Sequence, residues 1–151
     1  QFIQNILSAN QILTASLLSW FIAQVLKTII NFVMIGKFDI ERMWGAGGMP
    51  SAHSATVCSM TIACGRYVGV HSPTFAIALV LAAIVMYDAM GVRRETGEQA
   101  KVLNRMISDV FADSNPVFAD RKLKEMVGHT PIEVLSGAIL GVVMGFIIPL
   151  M

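Results

Sequence analysis

Four runs of about 20 predominantly apolar residues leave this chain few ways to fold, because a run of that length matches the hydrocarbon thickness of a bilayer when helical. The runs span 12–35, 51–70, 73–92 and 131–151. Inside hydrocarbon every backbone N–H and C=O must find its partner within the protein, and a helix does this locally. Composition agrees with that reading. Of 151 residues, 55% are apolar and 14% charged, and mean hydropathy is +0.66. A soluble domain of this length needs more charge to cover its surface. The expected fold is all-α: a polytopic membrane helix bundle of about four transmembrane helices with short interfacial or amphipathic helices, forming one domain over 1–151. An integral membrane protein, in a bacterial plasma membrane, is the expected setting.

The formal net charge of +1 carries no signal for nucleic acid. Cys58 and Cys64 fall inside the second run, where a thiol behaves as a small hydrophobe, so neither is read as a disulfide partner or metal ligand. The chain begins at Gln1 and no cleavable signal pattern follows, so the first span is expected to be retained. Ahead of it, Phe2, Ile3, Ile6 and Leu7 share one helical face, as an interfacial helix would require. Between the third and fourth runs, Val102, Leu103, Met106, Ile107, Val110 and Phe111 repeat with helical period, predicting an amphipathic helix on the bundle or the membrane surface. Asp113 to Pro116 reads as a break, and a short helix over 120–127 should end at Gly128.

Orientation follows from the cations. Of eleven Lys and Arg residues, nine lie after the first or after the third run: Lys37, Arg42, Arg93, Arg94, Lys101, Arg105, Arg121, Lys122 and Lys124. With four crossings those two segments share a side, and the positive-inside rule puts that side in the cytoplasm. The same parity gathers GGMPSAH, Asp88 to Arg94 and Gly128 to Glu133 at one membrane face.

The second run starts with an unusual polar cluster, GGMPSAHSA at 47–55. Pro50 disfavours helix at Met49, and Ser51 is a good N-cap. Gly47 and Gly48 allow close approach to the N–H groups of the helix start, a natural anion site with His53 in its first turn. A capped helix with an interfacial histidine is the plainer alternative. Lys27 favours the anion site, since a charge inside a span costs about 3 kcal/mol and usually faces a partner or a wet cavity. Gln24, Lys27, Thr28 and Asn31 form one polar stripe on the first span. Snorkelling of Lys27 to the interface is the competing account. Asp88 on the third span either balances a cation or orients a histidine. Arg93 and Arg94 after it match phosphate oxygens with their guanidinium forks, and equally suit topological anchors.

The fourth run begins GHTPIEVLSG, 128–137. Thr130, Pro131 and Glu133 have the pattern of a capping box. One helical turn also brings the Glu133 carboxylate to His129, where it fixes the tautomer of the ring; on the sequence these two uses of Glu133 compete. Gly137, Gly141 and Gly145 recur every four residues, a smooth stripe for close helix packing.

PSAH at 50–53 and a later histidine with an acidic residue four positions on resemble the type 2 phosphatidic acid phosphatase (PAP2) and vanadium haloperoxidase superfamily. More closely, GGMPSAHSA, YDAMGVRRETGEQA and GHTPIEVLSGAILG resemble the divergent PAP2 branch of small bacterial and plant membrane proteins, from Lys27 onward. The resemblance implies that His129 attacks phosphorus to give a phosphohistidine, that His53 is general acid to the leaving oxygen, and that Glu133 stands where the superfamily usually has aspartate. It implies no cofactor and no metal. Two superfamily features are missing: no Arg-Pro follows Lys27 or Lys37 seven residues on, and Leu123 occupies the place of an arginine six residues before the nucleophile. Phosphate is therefore assigned to Lys27, Ser51, Arg93 and Arg94, with Gly48 and Asp88 in support.

The function expected from these residues is hydrolysis of a lipid phosphate or pyrophosphate, with the membrane lipid as partner, phosphate as product, the site on the cytoplasmic side and homodimer formation open. The alternative is a non-catalytic membrane protein that binds or transports an anionic lipid headgroup or a small anion. A third reading is a divalent-metal site built from His53, His129 and Asp88.

Overall fold

A computed structural model describes residues 10–35, 48–111, 123 and 129–148. Among these the chain is all-α, with five helices: α1 (Gln11–Ile35), α2 (Ala52–Tyr67), α3 (Pro73–Met90), α4 (Val92–Phe111) and α5 (Pro131–Ile147). The N-terminal interfacial helix, Lys37, Arg42 and Gly47, the break at 113–116 and the short helix over 120–127 fall outside the described residues.

The helix ends follow the side chains. Ser51, Ser72 and Thr130 cap α2, α3 and α5, each accepting the N–H three residues on, and Pro73 and Pro131 occupy first-turn positions where a missing N–H costs nothing. Asn10 accepts the Leu13 N–H ahead of α1 in the same way. By length and composition, α1 over Gln11–Val33 and the run Pro73–Ser108 are apolar enough to cross a membrane, and α5 is a shorter apolar helix. The second run differs from the expected 20-residue span. It forms 16 residues of helix carrying Ser54, Thr56, Ser59, Thr61 and Arg66, so α2 is a polar-studded helix packed among neighbours rather than one facing lipid all round.

That central position explains its composition. Ala15, Ser19 and Ala23 of α1 and Ala52, Ala55, Ser59 and Ala63 of α2 are buried. Small side chains let the two backbones approach, and the Ser19 hydroxyl donates to the Ala55 carbonyl while the Ser59 hydroxyl donates to the Ala15 carbonyl, both at 3.0 Å. On the other side α5 lays its glycine stripe on α2. A Cβ at Gly137 would collide with the Ser51 carbonyl, one at Gly141 with the Ala55 carbonyl, and one at Gly145 with Ile62 Cβ at 2.6 Å. No larger residue fits this crossing. The Thr61 hydroxyl, shared between the Val57 carbonyl at 2.7 Å and the Ala78 carbonyl at 3.1 Å, ties α2 to α3. The outward faces of α3 and α5 carry exposed Ile77, Val80, Ile84, Ile139, Phe146 and Ile147, suited to hydrocarbon.

Candidate functional site

Two backbone hydrogen bonds bring three helix ends together. The Ser51 N–H donates to the Glu133 carbonyl and the His129 N–H donates to the Ala89 carbonyl, both at 3.0 Å. The start of α2, the end of α3 and the start of α5 therefore meet without relying on any side chain. The His53 and His129 rings, in the first turn of α2 and just ahead of α5, stand with centroids 6.1 Å apart and planes tilted by 58°. His129 is buried and His53 exposed, so a ligand shared by the two rings enters from the side of His53.

Glu133 serves both roles that compete on the sequence. Its Oε2 accepts the Thr130 N–H at 2.9 Å, its own N–H reaches Thr130 Oγ1 at 3.4 Å, and the same Oε2 lies 3.2 Å from His129 Nδ1. One oxygen with two lone pairs closes the capping box and holds the ring at once. Because Oε2 acts as acceptor toward Thr130, Nδ1 is the donor to it, which leaves Nε2 of a neutral ring with its lone pair unprotonated. The carboxylate also sits at the positive end of the α5 dipole.

Lys27 is buried on α1 and feels the Glu133 carboxylate electrostatically. Its aliphatic stem passes Gly48, whose Cα lies where an added Cβ would be 3.5 Å from Lys27 Cγ. Gly48 has φ of +86°, a conformation that side chains with a Cβ avoid, so the glycine is fixed by the turn, with the lysine stem at ordinary contact distance. The stripe continues with Gln24, one turn along, also buried.

Ser51 behaves differently from the assignment made on its sequence. It is fully buried, its hydroxyl accepts the Ser54 N–H and the Ser54 hydroxyl, and its N–H is bound to Glu133. Ser51 builds the helix start and presents little of itself to a ligand. Asp88 is half-buried one residue before the carbonyl that holds His129. Arg94 is exposed in the first turn of α4, and the side chain of Arg93 lies outside the described residues. Among the described residues no three His, Cys, Asp or Glu side chains group to hold a metal ion, so the arrangement lends nothing to a site of His53, His129 and Asp88.

Asn104 was not singled out by its sequence. Its side-chain amide donates to the Leu123 carbonyl and accepts the Leu123 N–H, both at 2.8 Å. Leu123 holds the position where the superfamily carries arginine, and α4 grips that position by its backbone. Only a lone Asn within an amphipathic run pointed to it.

A family model described as the Divergent PAP2 family matches residues 8–144. An uncharacterized membrane protein of Bacillus subtilis (strain 168), YuiD, is 36% identical over 151 residues, covering 94% of this chain and 96% of its own. No solved structure matches.

Proposed function

The chain belongs to the divergent PAP2 family of membrane proteins, and from that membership we propose that it hydrolyses a lipid phosphate or pyrophosphate through a phosphohistidine on His129, without a metal. The observation that carries the proposal is the Nδ1 to Glu133 contact of 3.2 Å, with the His53 ring 6.1 Å from that of His129. A nucleophilic imidazole needs one nitrogen held by an acceptor and the other unprotonated, and an acid within one phosphoryl group's width.

In the proposed reaction His129 Nε2 attacks phosphorus, the bond from phosphorus to the bridging oxygen breaks, and His53 gives its proton to the departing alkoxide or phosphate. Neutral His53 then takes a proton from water as the water attacks the phosphohistidine, releasing phosphate and restoring both rings. Lys27 offsets charge on the phosphoryl oxygens, with Arg93 or Arg94 completing the clamp from the start of α4. Glu133 holds the ring as its positive charge develops. In this reading the site opens at the cytoplasmic face, as the distribution of cations suggests, and a substrate keeps its tail in the bilayer.

A second reading rests on Leu123 and Arg94. The superfamily's arginine is absent at the first, and the second is exposed, so the site is poorer in phosphate-binding charge than an efficient phosphatase requires. A protein that binds an anionic headgroup without turnover needs no more than the same cations. The deciding experiment is phosphate release by purified protein from phosphatidate, phosphatidylglycerol phosphate and polyprenyl pyrophosphate with EDTA present. Turnover by wild type and none by His129→Ala is expected. Saturable binding of these lipids without turnover selects the second reading.

A further inference from the structure

Between α2, α3 and α5 a groove of about 170 Å³ is lined by Cys58, Thr61, Ile62, Leu79, Ala82, Ala83, Met86 and Val142. Its few polar atoms are already engaged: the Thr61 hydroxyl with two carbonyls, and the Cys58 thiol with Met86 Sδ at 3.9 Å. Nothing in the lining asks for water. On α3 the small Ala82 and Ala83 line the recess between the larger Leu79 and Met86.

Its depth relates it to the histidines. Cys58 is five residues beyond His53, about 7.5 Å along α2, and Met86 is three residues, about 4.5 Å, before the carbonyl of Ala89 that holds His129. The groove thus begins about one turn beneath the histidine pair and follows α3 for about 10 Å, from Met86 to Leu79, toward its other end. A phosphoryl group between the two rings has an apolar groove about one turn deeper along α2, within the helices that face hydrocarbon.

We propose that this groove takes one alkyl chain of the phosphorylated lipid whose headgroup sits at His53 and His129. The proposal rests on the phosphatase reading for its substrate and adds what that reading lacks, a determinant of chain recognition. One chain fits a single channel of this width, and the second chain of a diacyl lipid stays in the bilayer. Discrimination therefore falls on chain length near the headgroup. For a monoalkyl phosphate drawn from water, each methylene that enters the groove improves KM by up to about fourfold, until the chain outruns it.

Two measurements test this. In the first, KM is measured for monoalkyl phosphates of increasing length beside an aryl phosphate, in wild type and in Ala83→Phe. Ala83 is exposed, so the phenyl ring fills the groove from its open side with little disturbance of the bundle. The expected result is a steep fall of KM with chain length in wild type. In Ala83→Phe the dependence flattens and long-chain KM rises by about tenfold or more, while turnover of the aryl phosphate stays within about twofold. A chain-length dependence unaltered by Ala83→Phe, or none in an active wild type, overturns the proposal. In the second, an alkyl phosphate with a photoreactive group on its chain is crosslinked to the protein and the labelled peptides are mapped. Labelling of 58–62 and 79–86, displaced by inorganic phosphate and weaker for the same chain without phosphate, supports it. Equal labelling by the phosphate-free chain, or labelling elsewhere, identifies bulk lipid and sinks it. This second readout needs no turnover, so a protein that labels as expected yet hydrolyses nothing retains the groove and loses the phosphatase reading.

Discussion

The two ends of α5 are built on the same physics and come to opposite uses. At its N-terminus the Glu133 carboxylate meets the unsatisfied N–H groups of the first turn; at its C-terminus Arg66 Nη1 lies 2.6, 3.0 and 3.1 Å from the carbonyls of Gly145, Phe146 and Ile148. Each charge complements the helix dipole. The guanidinium nitrogen is saturated by backbone, its carbon 5.9 Å from the Phe146 ring centroid, and nothing titratable hangs from it. Glu133 keeps one lone pair of Oε2 for His129 after satisfying Thr130. A charge at a helix end is only a cap when backbone alone meets it, and does more when it also holds a titratable ring.

The largest break in that comparison is His129→Ala. With no nitrogen to carry phosphorus, phosphate release should vanish for every substrate while the protein remains monodisperse. Wild-type-like turnover by the folded variant would end the phosphohistidine mechanism. Next is Glu133→Gln, which keeps a capping-box side chain but removes the charge behind the ring. Turnover should fall by up to about 10⁴-fold with the thermal midpoint nearly unchanged; a rate within twofold of wild type would reduce Glu133 to a cap like Arg66. His53→Ala should cost about 10² to 10⁴-fold for an alkyl phosphate and much less for an activated aryl phosphate, whose leaving group needs little protonation. Equal losses on both substrates would remove His53 from the role of acid.

At the other end the signs reverse. Arg66→Met should lower stability in detergent by about 1–2 kcal/mol, since three carbonyls lose a charged donor, and leave turnover per folded molecule unchanged. A selective loss of rate would mean that the two ends are coupled. The smallest effect is expected at the exposed Glu98 and Lys101 pair, 2.9 Å apart on α4. An exposed pair of this kind contributes little, so Lys101→Met should leave the thermal midpoint nearly unmoved.

What was legible in the sequence were the features carried by neighbours along the chain. The caps at Ser51 and Thr130, the limits of α1 and α3 to within two residues, the start of α5, the glycine stripe and the i,i+4 pairing of His129 with Glu133 are all local patterns. The sequence also placed Lys27 on an inward stripe, and Lys27 is buried. Hidden were the relations between distant residues. Arg66 reaches carbonyls 79 to 82 positions away, and the Asn104 amide binds the Leu123 backbone 19 positions on, without any periodicity to announce either. The double use of Glu133 was hidden for another reason. Counting one bond per residue made cap and orienter rivals, whereas one oxygen accepts both. The shortened α2 reflects a helix so surrounded by its neighbours that serine and threonine replace leucine.

The two backbone bonds that gather the helix ends also set an order of events during synthesis. His53 leaves the ribosome early and inserts with α2, but the partner ring is positioned only when the last described helix arrives and its preceding N–H finds the carbonyl of Ala89. Until then the nascent chain carries a histidine in the first turn of α2 with no opposing ring. In the proposed mechanism, which needs both rings, the bundle turns over nothing until α5 docks, and incompletely made copies leave the surrounding lipid untouched.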